Sequence, residues 1–351
     1  MLLVDGHLDL ASNAVIWNRD LTRSVLEIRR DEAGMKQKGR AMNTVALPEM
    51  KLGEVCTCLA TLHARVKGRN LDGFGSREIA YAVAHGQLAY YRILQSQALI
   101  RVVQDRKSLD AHVEEWTRSP GSAILGFILA MEGADPIIVP DQVECWWDNG
   151  LRVLSLTHYG ENDYAHGTGS RGGLKPLGHE LLEGMESLRM VLDVTHLSEE
   201  SFWDAMDTFE GDLIASHNNC RSLVPGDRQL SDEQVKALIE RDAVIGVAVD
   251  AWMLYPGWVK GVTSNEVVSL EAVADQIDHV CRLAGDTSHA AIGSDLDGGY
   301  GKEQCPHDLD TIADLQNIPR LLEKRGYSGK DIENIMHGNW LRKLRKALPQ
   351  E

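Results

Sequence analysis

Two histidines occupy equivalent places in consecutive units of the sequence, each a short step beyond an apolar run. His196 comes four residues after the run 190–192, and His217 comes two residues after the run 213–215. Residues 198–209 lie between them and combine a polar start with apolar residues at helical spacing, so the pattern predicts strand, helix, strand. The carboxyl ends of strands converge in a parallel barrel, and imidazoles placed there can share one ion or flank two.

Other strand ends also carry residues that can bind a metal or move a proton. His7 and Asp9 follow the first apolar run, and residues two apart on an extended segment point to the same side. Glu132 ends an all-apolar run, where a carboxylate is costly unless it is paired or coordinated. Asp295 lies just past the last run. Each residue alone also fits an ion pair, a cap or a turn, but five potential ligands and one spare aspartate at strand ends predict a metal site.

The composition is that of an acidic globular chain. It has 351 residues, of which 43% are hydrophobic and 25% charged, and a formal net charge of −16. This charge disfavours nucleic acid and anionic membranes as partners through repulsion. No apolar run is long enough to span a membrane, and the start lacks the features of a secretion signal. Six cysteines do not make a disulfide framework here, and Cys56 and Cys58 are predicted core thiols, so we expect a reducing, cytoplasmic location.

Short apolar runs alternate with segments of helical periodicity, which is typical of a parallel sheet wrapped by helices. We predict strands over 2–4 (with a break at Gly6), 55–62, 124–131, 151–156, 190–192, 213–215, 244–249 and 290–292. We predict helices over 76–97, 141–148, 198–209, 231–241 (opened by a capping box at Ser231), 270–283, 309–324 and 328–347. About eight strands favour an α/β fold, a (β/α)8 TIM-like barrel, with residues 1–351 in one domain and the C-terminal helices (about 309–347) packing on the barrel.

Several of these residues lie in motifs whose order and spacing are specific when taken together. The motifs are Asp5-Gly6-His7-Leu8-Asp9, Met131-Glu132-Gly133, Leu154-Ser155-Leu156-Thr157-His158, Asp193-Val194-Thr195-His196, Ser216-His217-Asn218, Gly293-Ser294-Asp295-Leu296-Asp297-Gly298 and Gly338-Asn339-Trp340-Leu341-Arg342. Over nearly its whole length the chain resembles the membrane (renal) dipeptidase family of zinc metallopeptidases, within the amidohydrolase superfamily. The resemblance implies a single catalytic barrel of the metal-dependent hydrolase type.

The resemblance also implies a dinuclear site with two Zn2+ per chain. The implied ligands are His7 and Asp9 for the first zinc, His196 and His217 for the second, and Glu132 as the bridge. Imidazole and carboxylate suit zinc with open positions, and two zinc ions can lower the pKa of a shared water so that it becomes a hydroxide nucleophile. Asp295 is implied as the general acid and base that takes the proton from the water and passes it to the departing amine.

Two further positions are implied substrate contacts. His158 would hydrogen-bond the carbonyl oxygen or its oxyanion, and Arg228 would pair with the terminal carboxylate. An ordinary alternative for Arg228 is a surface ion pair with Asp227 or Asp232. The sequence departs from the family pattern at three places: Leu8, Gln229 and Asp250-Ala251-Trp252. His63 ends a strand but is not needed by the family pattern, so we expect it to line the pocket or support a ligand.

The expected function is that of a zinc-dependent dipeptidase, a hydrolase that cleaves the peptide bond of dipeptides, including those with a C-terminal D-residue. One alternative is a hydrolase of another amide or lactam on the same dinuclear barrel. Another, of a different class, is a catalytically silent binding barrel, which would be expected to lack a ligand or the general acid. The expected partner is a small dipeptide substrate, with no nucleic acid and no membrane, and homodimerisation is left open.

Overall fold

The computed structural model describes residues 1–68, 71–119 and 123–350. The strands of these residues are β1 (Leu3–Leu8), β2 (Val55–His63), β3 (Ile100–Val102), β4 (Leu125–Glu132), β5 (Leu151–Leu154), β6 (Val191–Asp193), β7 (Leu213–Ile214), β8 (Ile245–Val247) and β9 (Ala290–Ile292). Their α-helices are α1 (Leu10–Val15), α2 (Val25–Asp31), α3 (Leu47–Leu52), α4 (Arg77–Ser96), α5 (Arg106–Arg118), α6 (Gln142–Asp148), α7 (Pro176–Leu188), α8 (Glu199–Thr208), α9 (Asp232–Glu240), α10 (Glu271–Ala284), α11 (Ile318–Lys324), α12 (Gly329–Glu333) and α13 (Asn339–Ala347). Short 3-10 helices span Ala251–Met253, Asn265–Val267, Lys302–Gln304 and Ile312–Asn317, and a π-helical turn spans Asn334–Gly338.

The strands form one curled parallel arrangement. Six of them pair in the order β1-β2-β4-β5-β6-β7. A parallel bridge from Ala215 to Ile245 leads to β8, which pairs with β9, and β9 contacts β1. β3 pairs only with the first residues of β4, whereas β5 pairs with the later residues of the same edge of β4. β3 is therefore not one of the strands that form the closed barrel. Eight strands therefore make the predicted α/β barrel, and their carboxyl ends meet at one end of it.

Apolar side chains fill the barrel interior. Each of the eight barrel strands contributes one or two of them, either from the strand itself or from the residue next to its end. These are Val4, Leu59, Ile128, Ala130, Val153, Val191, Ile214, Val244 and Ala291. Trp340 and Leu344 of α13 belong to the same cluster, and Trp340 Nε1 donates to the carbonyl of Ile292 at 2.8 Å. His337, just before α13, bonds the carbonyl of Leu2 at the start of β1. The C-terminal helix thus fills the end of the barrel at which the strands begin.

Three predictions of elements were wrong. The first strand does not break at Gly6 but continues to Leu8, because this glycine gives room rather than a turn: a Cβ there would lie 2.4 Å from the ring of Trp340. The helix predicted over 309–324 is a 3-10 helix followed by α11, with a proline in its first turn. The helix predicted over 328–347 is interrupted by the π-helical turn between α12 and α13.

Two other sequence predictions are confirmed, one for a helix cap and one for a pair of cysteines. The capping box of α9 is present, with the Ser231 side chain accepting from the Gln234 N–H. Cys56 and Cys58 are buried, unpaired thiols of β2. None of the helices in the described ranges has the length and apolar character that a bilayer crossing requires.

Candidate metal and catalytic centre

The carboxylate of Glu132 lies at the centre of a group of imidazoles. Its Oε1 atom is 3.3 Å from His196 Nε2 and 3.4 Å from His217 Nε2. The same oxygen is 3.7 Å from His7 Nε2 and 3.8 Å from His158 Nε2. These residues come from the ends of different strands, so the barrel brings together side chains that are far apart in the sequence.

Three groups of potential metal ligands among the described residues contain Glu132, and two of them consist entirely of residues predicted as ligands. In each set, one ligand atom from every residue lies within 4.8 Å of the others. The first set is His7, Asp9 and Glu132, and the second is Glu132, His196 and His217. The five residues predicted as ligands therefore form two adjoining groups with one carboxylate in common.

Three carboxylates converge here, and no lysine or arginine of the described residues forms a direct ion pair with them. Asp9, Glu132 and Asp295 each place an oxygen 3.7–3.8 Å from His7 Nε2. Within the described residues, the ion-pair partners of these carboxylates are all histidines. His7 Nε2 is itself buried and lacks a hydrogen-bond partner. Because buried charges and buried imidazole nitrogens need partners, the donor set fits divalent cations that take nitrogen and oxygen ligands, such as zinc.

Hydroxyl groups behind the second ligand set determine which imidazole nitrogen is free. Ser216 Oγ donates to Asp193 Oδ2 at 2.5 Å and lies 2.9 Å from His217 Nδ1. Since its one proton is committed, Ser216 accepts from Nδ1–H, and the lone pair of His217 is left on Nε2. Thr168 Oγ1 lies 3.0 Å from His196 Nδ1 and 3.4 Å from the His196 carbonyl oxygen, an arrangement that is consistent with the same assignment for His196. Metal-binding histidines are oriented by hydrogen bonds of this kind.

Two aspartate–serine clasps tie strand ends together directly behind the site. Asp5 of β1 accepts from the N–H of Ser294 at 2.8 Å and from its hydroxyl at 2.6 Å. Asp193 of β6 accepts from the N–H of Ser216 at 2.9 Å and from its hydroxyl. Each carboxylate also accepts the N–H two residues further along its own chain. The residue after each serine is a site residue, so the clasps hold the site residues in place.

Asp295 lies beside the ligand sets with a backbone conformation that non-glycine residues rarely adopt. Its φ is +57°, and its N–H donates to the carbonyl of His7 at 3.3 Å. A Cβ on Gly298 would lie 2.0 Å from Asp295 Oδ1, so glycine is required at that position. Burial, together with the charges of Glu132 and Asp9, raises the pKa of Asp295 well above its usual range. A partly buried carboxyl group with a raised pKa beside potential metal ligands can act as a general acid and base.

His63 belongs to this group more closely than the sequence predicted. The parallel register of β2 and β4 sets His63 beside Glu132, and its Nδ1 is 3.0 Å from Glu132 Oε2. The side-chain amide of Gln87 bonds both the N–H and the carbonyl of His63. Burial lowers the pKa of His63, but the Glu132 carboxylate outweighs this and raises it to about 9. The signal in the sequence was the place of His63 at a strand end.

A cavity of about 760 Å³ opens over these residues, and Arg228 lines it. Arg228 is buried, and its Nη2 donates to the carbonyl of His217 at 2.8 Å. Its Nη1 is buried without a hydrogen-bond partner. The alternative of a surface ion pair with Asp227 or Asp232 is wrong, because Arg228 is buried and both aspartates have other partners. The unpaired Nη1 leaves Arg228 with a donor available for an anionic group.

The rest of the cavity wall includes residues that the sequence did not assign. His158 lines it as predicted, and burial lowers the pKa of its imidazole well below the usual value. Arg65 lines it as well, next to His158. Burial raises the pKa of Asp250 to about 6, and Lys260 lies over the ring of Trp252, which also lines the cavity. Arg65 and Asp250 come shortly after predicted strands, and this position in the sequence could have indicated that they line the cavity.

Comparisons with known proteins agree with this fold and identify the family. The family model of membrane dipeptidase (peptidase family M19) matches residues 1–349. Dipeptidase tcpJ of Claviceps purpurea is 25% identical over 280 residues, covering 78% of this chain and 63% of that protein. The chain spans less than two thirds of the length of the curated relatives that it matches.

Two crystal structures share the fold over 99% of both chains. The metallo peptidase dipeptidase AC has a TM-score of 0.81 at 22% identity. A Rhodobacter sphaeroides metallo peptidase, liganded with a phosphinate mimic of the dipeptide L-Ala-D-Ala, has a TM-score of 0.80 at 21% identity. The barrel and the paired donor sets define a chain built to hold metal ions at the carboxyl ends of its strands. The chain belongs to the membrane dipeptidase family, peptidase family M19.

Proposed function

We propose that the chain is a metallo-dipeptidase that hydrolyses the peptide bond of dipeptides with two Zn2+ bound. His7 and Asp9 would hold the first ion, His196 and His217 the second, and Glu132 both. The observation that carries the proposal is that Glu132 is shared between the two predicted ligand sets, with the partly buried carboxyl group of Asp295 beside them. When bound, the zinc ions would polarise the scissile carbonyl and make a water acidic enough to supply the nucleophile at neutral pH.

The residues of the chain would then bind the dipeptide and move its protons. Asp295 would take a proton from the attacking water and deliver it to the departing amine. His158 would donate a hydrogen bond from Nε2 to the carbonyl oxygen as negative charge develops there. Arg228 would bind the terminal carboxylate through its unpaired Nη1. A dipeptide with a C-terminal D-residue is included because the Rhodobacter sphaeroides relative was crystallised with a mimic of L-Ala-D-Ala.

The test is hydrolysis of a library of L-Xaa-L-Xaa and L-Xaa-D-Xaa dipeptides by the zinc-loaded protein. We expect cleavage of dipeptides, two zinc ions per chain by elemental analysis, and anomalous-scattering peaks among the five ligand residues. Inactivity towards every dipeptide, with cleavage of other amides or lactams, would favour the alternative hydrolase. Absence of zinc from active protein would remove the proposed mechanism.

The role of Arg228 is tested separately. Replacing Arg228 with Ala should raise KM for dipeptides with a free carboxylate by at least about tenfold, because a charge-assisted hydrogen bond is lost. Dipeptide amides, which lack that carboxylate, serve as the control and should show a smaller change. Equal KM changes for acids and amides would place the substrate carboxylate elsewhere in the cavity.

A reducing compartment, the cytoplasm, is also part of the proposal. The structure is compatible with it, since all six cysteines are unpaired. Fractionation of cells that express the chain would test the location directly, and recovery outside the cytoplasm would contradict it.

A further inference from the structure

The side chain of Arg65 joins the wall of the cavity to His158. Its Nη1 lies 3.0 Å from His158 Nδ1. The other side of the guanidinium is held by the carbonyl of Asp72, which accepts from Nε at 2.9 Å and from Nη2 at 2.5 Å. Arg65 is therefore fixed by one backbone oxygen and directed at one imidazole nitrogen.

The backbone around Arg65 is fixed as well. The Arg65 carbonyl accepts from the N–H of Phe74 at 2.8 Å, and the N–H of Lys67 donates to the Phe74 carbonyl at the same distance. A Cβ on Gly73 would lie 2.7 Å from the Arg65 carbonyl oxygen, so the two segments approach as closely as glycine allows. The guanidinium thus starts from a rigid backbone position.

The contact between Arg65 and His158 determines where the imidazole proton is. A guanidinium has five N–H donors and no acceptor, so Arg65 donates and His158 Nδ1 accepts. An imidazole that accepts at Nδ1 is neutral and carries its proton on Nε2. That Nε2 faces the centre of the site, 3.8 Å from Glu132 Oε1. His158 therefore presents a hydrogen-bond donor to the space over the ligand sets.

The two histidines of the second ligand set have the opposite arrangement. Hydroxyls accept from their Nδ1–H groups, so His196 and His217 present a lone pair on Nε2. A metal needs that lone pair, whereas an oxyanion needs a donor. The proton position on His158 also bears on a third group of potential ligands. His63, Glu132 and His158 lie close enough together to hold an ion. With its proton on Nε2, His158 has no free lone pair to offer there.

We propose that Arg65 is a positioning residue that keeps His158 in the Nε2–H form and aims that proton at the reacting carbonyl. Arg65 acts through His158 and does not touch the reacting atoms. The role of His158 rests on the proposed function, whereas the position of its proton rests on the Arg65 contact alone. The two can therefore be tested separately.

The first experiment compares Arg65→Met, which has no donor, with Arg65→Lys, which keeps one. Lys67→Met is the matched control, because Lys67 is exposed on the same segment. In the zinc-loaded protein, Arg65→Met should lower kcat by about 10- to 100-fold with KM changed by less than about threefold. Arg65→Lys should recover part of kcat, and both Arg65 variants should keep their zinc. An unchanged kcat, or loss of zinc, would overturn the proposal.

The second experiment separates positioning from a general structural effect. With His158→Ala in the background, Arg65→Met should cause little further loss of kcat, because the residue through which Arg65 acts is gone. An equal loss in both backgrounds would mean that Arg65 acts in another way and would overturn the proposal.

The third experiment reads the proton directly. Nitrogen-15 spectra of the zinc-loaded, histidine-labelled protein should show His158 protonated on Nε2, with its signals assigned by their absence in His158→Ala. In Arg65→Met those signals should move towards a mixture of tautomers. A His158 protonated on Nδ1 in the unmutated protein would overturn the proposal. This measurement needs no substrate, so it decides the Arg65 assignment even if no dipeptide is cleaved and the proposed function fails.

Discussion

Glu132 is the side chain that links every part of the candidate centre. Its Oε1 atom faces four imidazole nitrogens within 3.8 Å, and its Oε2 atom faces a fifth at 3.0 Å. A buried carboxylate surrounded mainly by neutral rings is costly in free energy, and cations on both of its sides would remove that cost. The two ligand sets are therefore coupled through one charge.

Asp295 gives the sharpest prediction at this scale. Asp295→Asn should lower kcat by about 10²- to 10⁴-fold, because the amide cannot accept and return the proton. The variant should still bind two zinc ions, since Asp295 is outside both shared ligand sets. Steady-state kinetics with elemental analysis of the same sample checks both points. Loss of zinc would make Asp295 a ligand instead.

Asp250 gives a prediction that depends on pH. Burial raises its pKa to about 6 from the ordinary 3.8, with Gln304 and Lys260 opposing the shift. The folded state holds this proton more tightly than the unfolded chain, so the charged carboxylate opposes folding above about pH 6 and the cost vanishes below about pH 4. Asp250→Asn should stabilise the metal-free protein by about 3 kcal/mol at pH 8 and by little at pH 4.

Denaturant unfolding of both proteins in a chelator at the two pH values measures this difference. A stabilisation of equal size at pH 4 and pH 8 would show that the effect of the substitution does not come from the charge.

The candidate ligands could be predicted because apolar runs mark where strands end. The contacts of His63, Arg65 and Arg228 could not be predicted, since they depend on strand register and on the paths of loops. The backbone of His196 is another case. Its φ is +69°, a value that the residue type does not indicate and that only the surrounding fold explains.

At the scale of elements, the aspartate–serine clasps join neighbouring strand ends, a task that longer ladders of backbone hydrogen bonds perform in longer strands. β6 has three residues and β7 has two, so few backbone hydrogen bonds join them. Asp193 adds bonds to the N–H and hydroxyl of Ser216, just beyond the last paired residues. Charge-assisted hydrogen bonds of this kind are stronger than neutral ones and suit a short, buried junction.

The clasp of β6 and β7 predicts an effect on metal binding. Ser216→Ala should weaken zinc binding at the second ligand set by about 10- to 100-fold, because His217 loses the hydroxyl that orients it. Ser222→Ala is the matched control, since that exposed hydroxyl bonds Asp232 outside the site. Competition with a chromophoric chelator measures the affinities. Equal affinities for the two variants would show that the hydroxyl does not support His217.

Elements with a full period of hydrophobic residues were predicted well, and short ones were not. The strand before Glu132 and the capped helix α9 are close to their predicted bounds. β3 has three residues and the helices α1 and α3 have six each, so periodicity had too few residues to act on. The longer helices α5 and α7 were also missed. α5 is largely polar, with few apolar residues to show a period, and the glycines within α7 weaken its helical pattern.

At the scale of the whole molecule, ligands from four strands and the loops after them meet at one point. Cations bound there would hold distant parts of the ring together and would bind the folded state alone. We expect removal of zinc by a chelator to lower the melting temperature, with about 4 kcal/mol lost for each site at which free zinc had been 1,000 times the dissociation constant. Calorimetry with and without chelator, followed by zinc readdition, checks this. An unchanged melting temperature would argue against binding by the folded barrel.

Trp340 fills the barrel from below while the cavity opens above. A dipeptide would therefore enter, and both product amino acids would leave, on the side of the barrel where the cavity opens. A free amino acid bound in this cavity would occupy space that the dipeptide needs, so the products of the reaction should slow turnover as they accumulate.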